Sequence, residues 1–303
     1  MTSTLTKVSI PQQSIDFEYN LVSSPLNYIG GKFKLLPQIL PLFPKEINNF
    51  VDMFCGGLNV AANIKAKNVY ANDLNDRMIG VLKLIKETPI DELLSNIYLI
   101  INTYKLSNQN KDGFLKLRED YNREPNPILL YVLVCYSFNY QFRFNNSLKY
   151  NNPFGKNRSQ FSETLKKKLI KFNERIAGKS ITLSSLCFQD FIRSLDLNDG
   201  DMVYCDPPYL ITTGSYNDGN RGFKDWTKHE EEALYHTLDT LNKKGINFAL
   251  SNVLEHKGLK NETLIKWAEK YNIIFLNYDY QNSSYNTNRS GSVEVLITNY
   301  SLE

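Results

Sequence analysis

Asp206-Pro207-Pro208-Tyr209 joins a carboxylate, a rigid turn and an aromatic face within four residues. The run Met202-Val203-Tyr204-Cys205 just before it has the length and apolarity of a buried strand. The carboxylate is therefore expected at a strand's carboxyl end, where open α/β sheets bind ligands. Two consecutive prolines continue neither a ladder nor a helix, which leaves the Pro207 carbonyl without a ladder partner beside the Asp206 side chain. An exocyclic NH2 offers two donors, and here are two acceptors with a ring for stacking. Alone, the same loop also reads as a structural strand-to-turn corner with a surface tyrosine, so its meaning depends on the elements around it.

Those elements begin with Phe50-Val51-Asp52-Met53-Phe54, read as a strand, and Cys55-Gly56-Gly57, read as a tight turn. Leu58 to Lys65 starts a helix, and Asn68-Val69-Tyr70-Ala71-Asn72-Asp73 is a second strand ending in an acid. This is half of a nucleotide-binding βαβ unit, in which glycines admit a close ligand and the terminal acid binds both ribose hydroxyls. The turn is FxGG and lacks the GxGxxG phosphate spacing, so S-adenosylmethionine fits better than NAD. The pattern GxxxxGK[ST] is absent, which speaks against a P-loop NTPase.

The 303 residues, 42% of them hydrophobic, suffice for one large domain or one domain with an insertion. Without a run of about 18 apolar residues or a basic leader, neither a membrane span nor a signal peptide is expected, and the cytoplasm is the expected location. Cys55, Cys135, Cys187 and Cys205 are widely spaced, so free thiols are expected in place of a zinc site or disulfides. A net charge of +3 and a pI near 8.4 decide nothing by themselves. Locally, Gln141 to Lys171 holds eight basic residues against Glu163 and interleaves Phe142, Phe144, Tyr150, Phe154 and Phe161. Basic groups neutralise phosphates and aromatic faces wedge or stack on bases, although Lys166 to Lys168 read better as a solvated helix face.

Residues 1–22 are polar and aperiodic and read as an extension. From Arg77 to about Tyr131 the spacing is helical, with a helix start at Thr88-Pro89-Ile90-Asp91-Glu92. Strand signals resume at Ser180 to Leu183, Met202 to Cys205, Asn247 to Ser251, Ile273 to Leu276 and Val293 to Ile297. Such alternation argues a doubly wound α/β sheet interrupted by a helical insertion.

Seven blocks then occur in order: Tyr28-Ile29-Gly30-Gly31-Lys32 with Leu35-Leu36-Pro37, Phe50 to Gly57, Ala71-Asn72-Asp73, Phe114 to Asn122, Asn152 to Lys156, Asp206 to Thr212, and Leu250 to His256. In these blocks the chain resembles the Dam-type DNA adenine-N6 methyltransferases of the D12 class, whose cofactor motif precedes the recognition region, with the T-even phage branch as the nearest likeness. The resemblance implies a Rossmann-like S-adenosylmethionine-dependent methyltransferase sheet over 23–76 and 165–303. It also implies a mainly helical target-recognition insertion over 77–164 that carries a β-hairpin. It implies that Tyr28 and Lys32 close over the cofactor, with Lys32 near its carboxylate, that Phe54 and Gly56 line the methionine and ribose, and that Asp73 takes the ribose hydroxyls. Cys187 and Phe188 would border the cofactor's adenine, although plain core packing explains Phe188 equally well. Asp206 and the Pro207 carbonyl would hold the adenine N6 amine while Tyr209 stacks on the extruded base.

By the same resemblance Arg143 reads a guanine, which suits a bidentate guanidinium, and Phe138, Asn139, Asn145 and Pro153 contact DNA. Phe144 to Tyr150 alternates around turn formers, as a hairpin entering a major groove would. Gln141 stands where relatives carry an apolar wedge, and Asn157 where they carry an arginine that Arg158 would replace. The expected partner is double-stranded DNA with GATC or a related short target, with the chain a monomer in solution or a dimer on DNA. A cognate restriction endonuclease would act separately, in a bacterial or phage-infected cell. Two rival readings are methylation of RNA adenine or protein glutamine, and a DNA-binding regulator that has lost catalysis. The basic hairpin segment speaks against the first, and intact Tyr28, Lys32, Asp73 and Asp206 against the second.

Overall fold

The computed structural model of the chain describes residues 20–28, 30–212, 226–276 and 291–302. The apolar runs marked as strands assemble into one sheet. Strands β1 (Asn49–Asp52), β2 (Asn68–Asn72), β3 (Ile181–Ser184), β4 (Met202–Cys205) and β5 (Asn247–His256) are parallel. Two-residue β6 (Leu259–Lys260) folds back on the end of β5. With β7 (Asn272–Phe275) and β8 (Ser292–Thr298), the order is β3-β2-β1-β4-β5-β8-β7, β8 being antiparallel to both neighbours. All four residues of β4 are buried, Met202 and Tyr204 in one core and Val203 and Cys205 in the other, as expected of a strand covered on both faces.

Helices α1 (Leu36–Ile39), α2 (Asn59–Asn63) and α3 (Asp76–Glu87) frame the first strands, and α4 (Ile90–Thr103), α5 (Lys111–Arg123), α6 (Pro127–Tyr136) and α7 (Glu163–Ala177) fill the interval before β3. After it come α8 (Phe188–Arg193), α9 (Lys228–Lys243) and α10 (Glu262–Ala268). Side-chain caps set several starts: Asn75, Asn110, Asn126 and Ser162 each accept a backbone N–H of the first turn. Helix α6 opens on Pro127 and buries seven of its residues, because it is apolar all round and packs against α3, α4 and α5. The helices over 77–164 share one continuous core with a face of the sheet, from Leu82 and Phe114 to Val69 and Met202.

The expected extension over 1–22 falls mostly outside the described residues, but Val22 is buried and exchanges two 2.8 Å hydrogen bonds with the Asn63 side chain. Strand β5 is longer than its apolar run. It continues from Ser251 to His256 because β8 supplies a ladder partner there, with an irregularity between Val253 and Glu255. The hairpin over Phe144 to Tyr150 forms, with an antiparallel bridge between those two residues and Asn145 N–H donating to the Lys149 carbonyl at 2.9 Å. Among the described residues no helix is long and apolar enough to cross a membrane, and no cluster of metal-ligating side chains occurs. All four cysteines are free.

Candidate active site

Strand order reverses between β1 and β4, since β2 and β3 lie to one side of β1 while β4 and β5 lie to the other. Carboxyl ends diverge at such a point and leave a crevice. A cleft of about 1190 Å³ opens there, and Tyr28, Lys32, Phe54, Gly56, Asp73, Cys187, Phe188, Asp206, Pro207 and Tyr209 all line it.

On the β1–β2 side, Asp73 accepts the N–H of Gly56 at 3.0 Å and of Asn75 at 2.9 Å. Burial lifts its carboxyl to about 6 and these two bonds partly oppose the rise. Gly56 holds φ +47°, and a Cβ there would sit 3.1 Å from the Tyr28 ring, so the turn admits glycine alone without displacing that tyrosine. Asp52, at the end of β1, is 1% exposed, and neither carboxylate oxygen has a hydrogen bond of good geometry, the Ala61 backbone being the donor at hand. Burial, reinforced by the negative charge of Asp206, drives its carboxyl well above the usual range. An orphaned buried carboxylate facing a cleft suits a cation. Asn72 bonds both the N–H and the carbonyl of Leu186, which sets the loop that presents Cys187 and Phe188. The Phe188 ring packs 5.6 Å from Phe54 and 6.0 Å from Trp226 while still lining the cleft, so core and lining roles coincide there. Cys187 is exposed and its thiol donates to Asp190. The donor set fits a nucleoside-bearing cation: Asp73 for hydroxyls, Asp52 for positive charge, and Phe54, Phe188 and Trp226 for apolar contact.

On the β4 side, the Asp206 carboxylate receives Lys32 Nζ at 2.9 Å and the Tyr209 hydroxyl at 3.0 Å, both on Oδ1. Lys32 is 5% exposed and lies 3.5 Å from Glu294 as well, and the Tyr209 hydroxyl reaches the same Glu294 oxygen at 3.1 Å. The Lys32 ammonium is 4.9 Å from the centre of the Tyr209 ring. Burial alone would lower the Lys32 pKa, but its two carboxylates outweigh burial and hold it charged. Burial pushes Asp206 up, Lys32 pulls it back, and repulsion from Glu294 leaves it above the ordinary carboxylate range. Lys32 is thus committed to Asp206 and Glu294, and Tyr209 has its hydroxyl tied to the same pair.

The remaining expected positions come together in the loop over 137–158, beside the cleft. Tyr140 lines the cleft, the Phe142 ring is 6.4 Å from Tyr28, and Asn27 donates to the Asn139 carbonyl. Arg143, Pro153 and Arg158 are exposed, Phe138, Gln141 and Asn145 half-buried, and the Arg158 guanidinium lies over the Phe138 ring at 4.9 Å. Phe142, Phe144 and Tyr150 turn inward, so Arg143 between them turns outward. Three residues to which the sequence assigned no role of their own, Asn122, Tyr150 and Asn152, hold this loop. The Tyr150 hydroxyl bonds Ser137 and the Gln141 carbonyl, and Asn152 bonds the carbonyls of Phe138 and Gln141. Asn122 of α5 pairs with both backbone groups of Tyr150. Glu294 was also passed over: its strand reads as plain alternation, and nothing local marks that acid as facing Lys32.

Residues 28–295 match the sequence profile of the D12 class N6 adenine-specific DNA methyltransferases. Type II methyltransferase M.FokI of Planomicrobium okeanokoites is 55% identical over 92% of this chain and 43% of its own length. Modification methylase StsI of Streptococcus sanguinis is 51% identical over 92% of this chain and 43% of its own. A DNA adenine methylase of Haemophilus influenzae is 25% identical over 75% and 78% respectively. The chain thus spans less than half the length of the first two relatives. A family profile matched across nearly the whole chain, with five of the seven sequence blocks supplying residues to one cleft, leaves one conclusion: the chain belongs to the D12 class N6 adenine-specific DNA methyltransferases.

Proposed function

We propose that this chain transfers a methyl group from S-adenosylmethionine to N6 of adenine in double-stranded DNA. The observation that carries the reading is the shared cleft, in which the Asp206 carboxylate faces the same space as Asp73 and Asp52. The cofactor would supply an electrophilic sulfonium methyl. Its transfer leaves a thioether and puts a positive charge on N6, from which one proton departs to water. Asp73 would hold the ribose hydroxyls, Phe54 and Gly56 would line the methionine and ribose with Asp52 near the positive charge, and Cys187 and Phe188 would border the adenine. Tyr28 would close over them.

An aromatic amine is a weak nucleophile because its lone pair is delocalised into the ring. Asp206 and the Pro207 carbonyl would accept the two N–H groups and favour a pyramidal nitrogen, so that rate comes from alignment and charge stabilisation. Asp206 sits half-buried within the cleft at 17% exposure, so the target base would leave the duplex to reach it, and the Tyr209 ring offers a stacking face for it. The loop with Arg143, together with Phe138, Asn139, Gln141, Asn145, Pro153 and Arg158, would read the site. Residues 77–164 would form the target-recognition insertion, and 23–76 with 165–303 the catalytic domain. A short site with a guanine read by Arg143 is expected, and GATC is the first to try. Names of the relatives favour a restriction-modification role, with an endonuclease acting separately in the bacterial cytoplasm. Nearness to the T-even phage branch rests on the sequence blocks alone.

The test is incubation with labelled cofactor and, in parallel, duplex DNA, RNA and cell extract. Label in adenine of DNA is expected, and its position in sequenced product names the target. Label only in RNA or protein, or none anywhere, would overturn the reading.

A further inference from the structure

We propose that Glu294 on β8 is a positioning residue for this reaction: it holds Lys32 and the Tyr209 hydroxyl so that Asp206 can turn to the amine. The inference rests on the reading of Asp206 as the amine acceptor. Three charged groups meet at this point, one cation and two anions, with Lys32 and Glu294 buried at 5% and 6% side-chain exposure and Asp206 half-buried at 17%. Lys32 and Tyr209 both donate to Asp206 Oδ1, and both also reach Glu294 Oε1, at 3.5 and 3.1 Å. A phenol has one proton and cannot satisfy two carboxylates at once. The pair of donors is thus built to be shared between two acceptors, and one acceptor can let go without stranding a buried ammonium.

That sharing matters when adenine arrives. Asp206 must present lone pairs to N6, and any hold that Lys32 keeps on it draws off the negative charge those bonds need. With Glu294 present, the trio carries a net charge of −1, from one ammonium and two carboxylates. With glutamine there, the net charge is zero, and among the described residues Lys32 is left with Asp206 as its ionised partner. The site would then meet the positive charge arriving on N6 without excess negative charge to stabilise it. Glu294 has its place because Val253, toward the carboxyl end of β5, pairs with it in register. It lines the same cleft and acts on Asp206 through Lys32 and Tyr209, both of which it contacts.

Single-turnover methyl transfer to duplex DNA at saturating cofactor separates this role from a structural one. Glu294→Gln is expected to slow transfer by ~10²-fold, the loss typical of one preorganised electrostatic group. The KM values for cofactor and duplex should stay within about threefold of the unaltered protein, since the residue serves the chemical step. Lys32→Met with Glu294→Gln should be no slower than Lys32→Met alone, because the two act as one unit. Glu294→Asp, which keeps the charge, should recover part of the rate even if Glu294→Gln melts early. Full-speed transfer by Glu294→Gln, multiplicative losses in the double variant, or no difference between Asp and Gln at this position would each overturn the role of Glu294 alone. Absence of transfer to DNA by the unaltered protein would overturn it together with the function it rests on.

Discussion

The Asp73 carboxyl is the group whose titration the structure ties most directly to ligand binding. It is 8% exposed, accepts two backbone N–H bonds, and titrates near 6 where an unfolded aspartate has 3.8. A rise of about two units corresponds to ~3 kcal/mol in favour of the protonated form. For a carboxyl whose folded pKa is raised, the folded state holds the proton more tightly, so this stabilisation is complete below 3.8 and is lost as pH climbs through about 6. Ligand binding runs the other way. Ribose hydroxyls donate best to the ionised carboxylate, which is nearly fully present at pH 7.5 and only roughly one part in ten at pH 5. The affinity for S-adenosylmethionine should therefore fall by about tenfold between those pH values. Asp73→Asn should bind weakly and with a flat profile over the same range. Trp226 provides the assay, because it is buried in the cleft against Phe54 and Phe188, whereas Trp267, the second of two tryptophans, stacks on Tyr235 away from the cleft. Titrating the fluorescence change at each pH yields the dissociation constant. A constant affinity in the unaltered protein, or a tenfold slope surviving in Asp73→Asn, would refute the assignment of Asp73 and shift attention to Asp52.

Three further outcomes are expected. Asp206→Ala should abolish methyl transfer while duplex binding in a gel-shift assay persists, because the DNA-facing loop does not depend on that carboxylate. Arg143→Ala should relax discrimination at a single guanine by ~1 to 3 kcal/mol in competition binding, whereas uniform loss at all sequences would mark the residue as a phosphate contact. Gly155→Ala would place a Cβ 2.2 Å from the Ser159 hydroxyl and 2.9 Å from the Ser137 carbonyl, so a destabilisation of ~1 to 3 kcal/mol by thermal melting and weakened DNA discrimination are expected.

Much of the site was legible because its chemistry is local. A proline pair after an apolar run marks the end of β4 from four residues, and a Gly-Gly turn followed by an acid after the next strand marks the ends of β1 and β2. Sheet pairing then puts these strand ends side by side, as their common parallel direction requires. The reach of β5 past Ser251 was not legible, since the polar residues there stay in the ladder only because β8 pairs with them.

The amino-acid order by itself determined which strands end in reactive groups and which loop presents an outward arginine, because periodicity and turn chemistry act over a few residues. Tertiary structure alone decided what those groups face. Lys32 and Glu294 are separated by most of the chain, yet Lys32 reaches Asp206 from before β1 and meets Glu294 coming from β8, and no local pattern encodes their meeting. The same holds for Asn122 of α5, which grips Tyr150 of the hairpin. A buried charge or amide takes whichever partner the packing brings within about 3 Å, and that choice belongs to the fold.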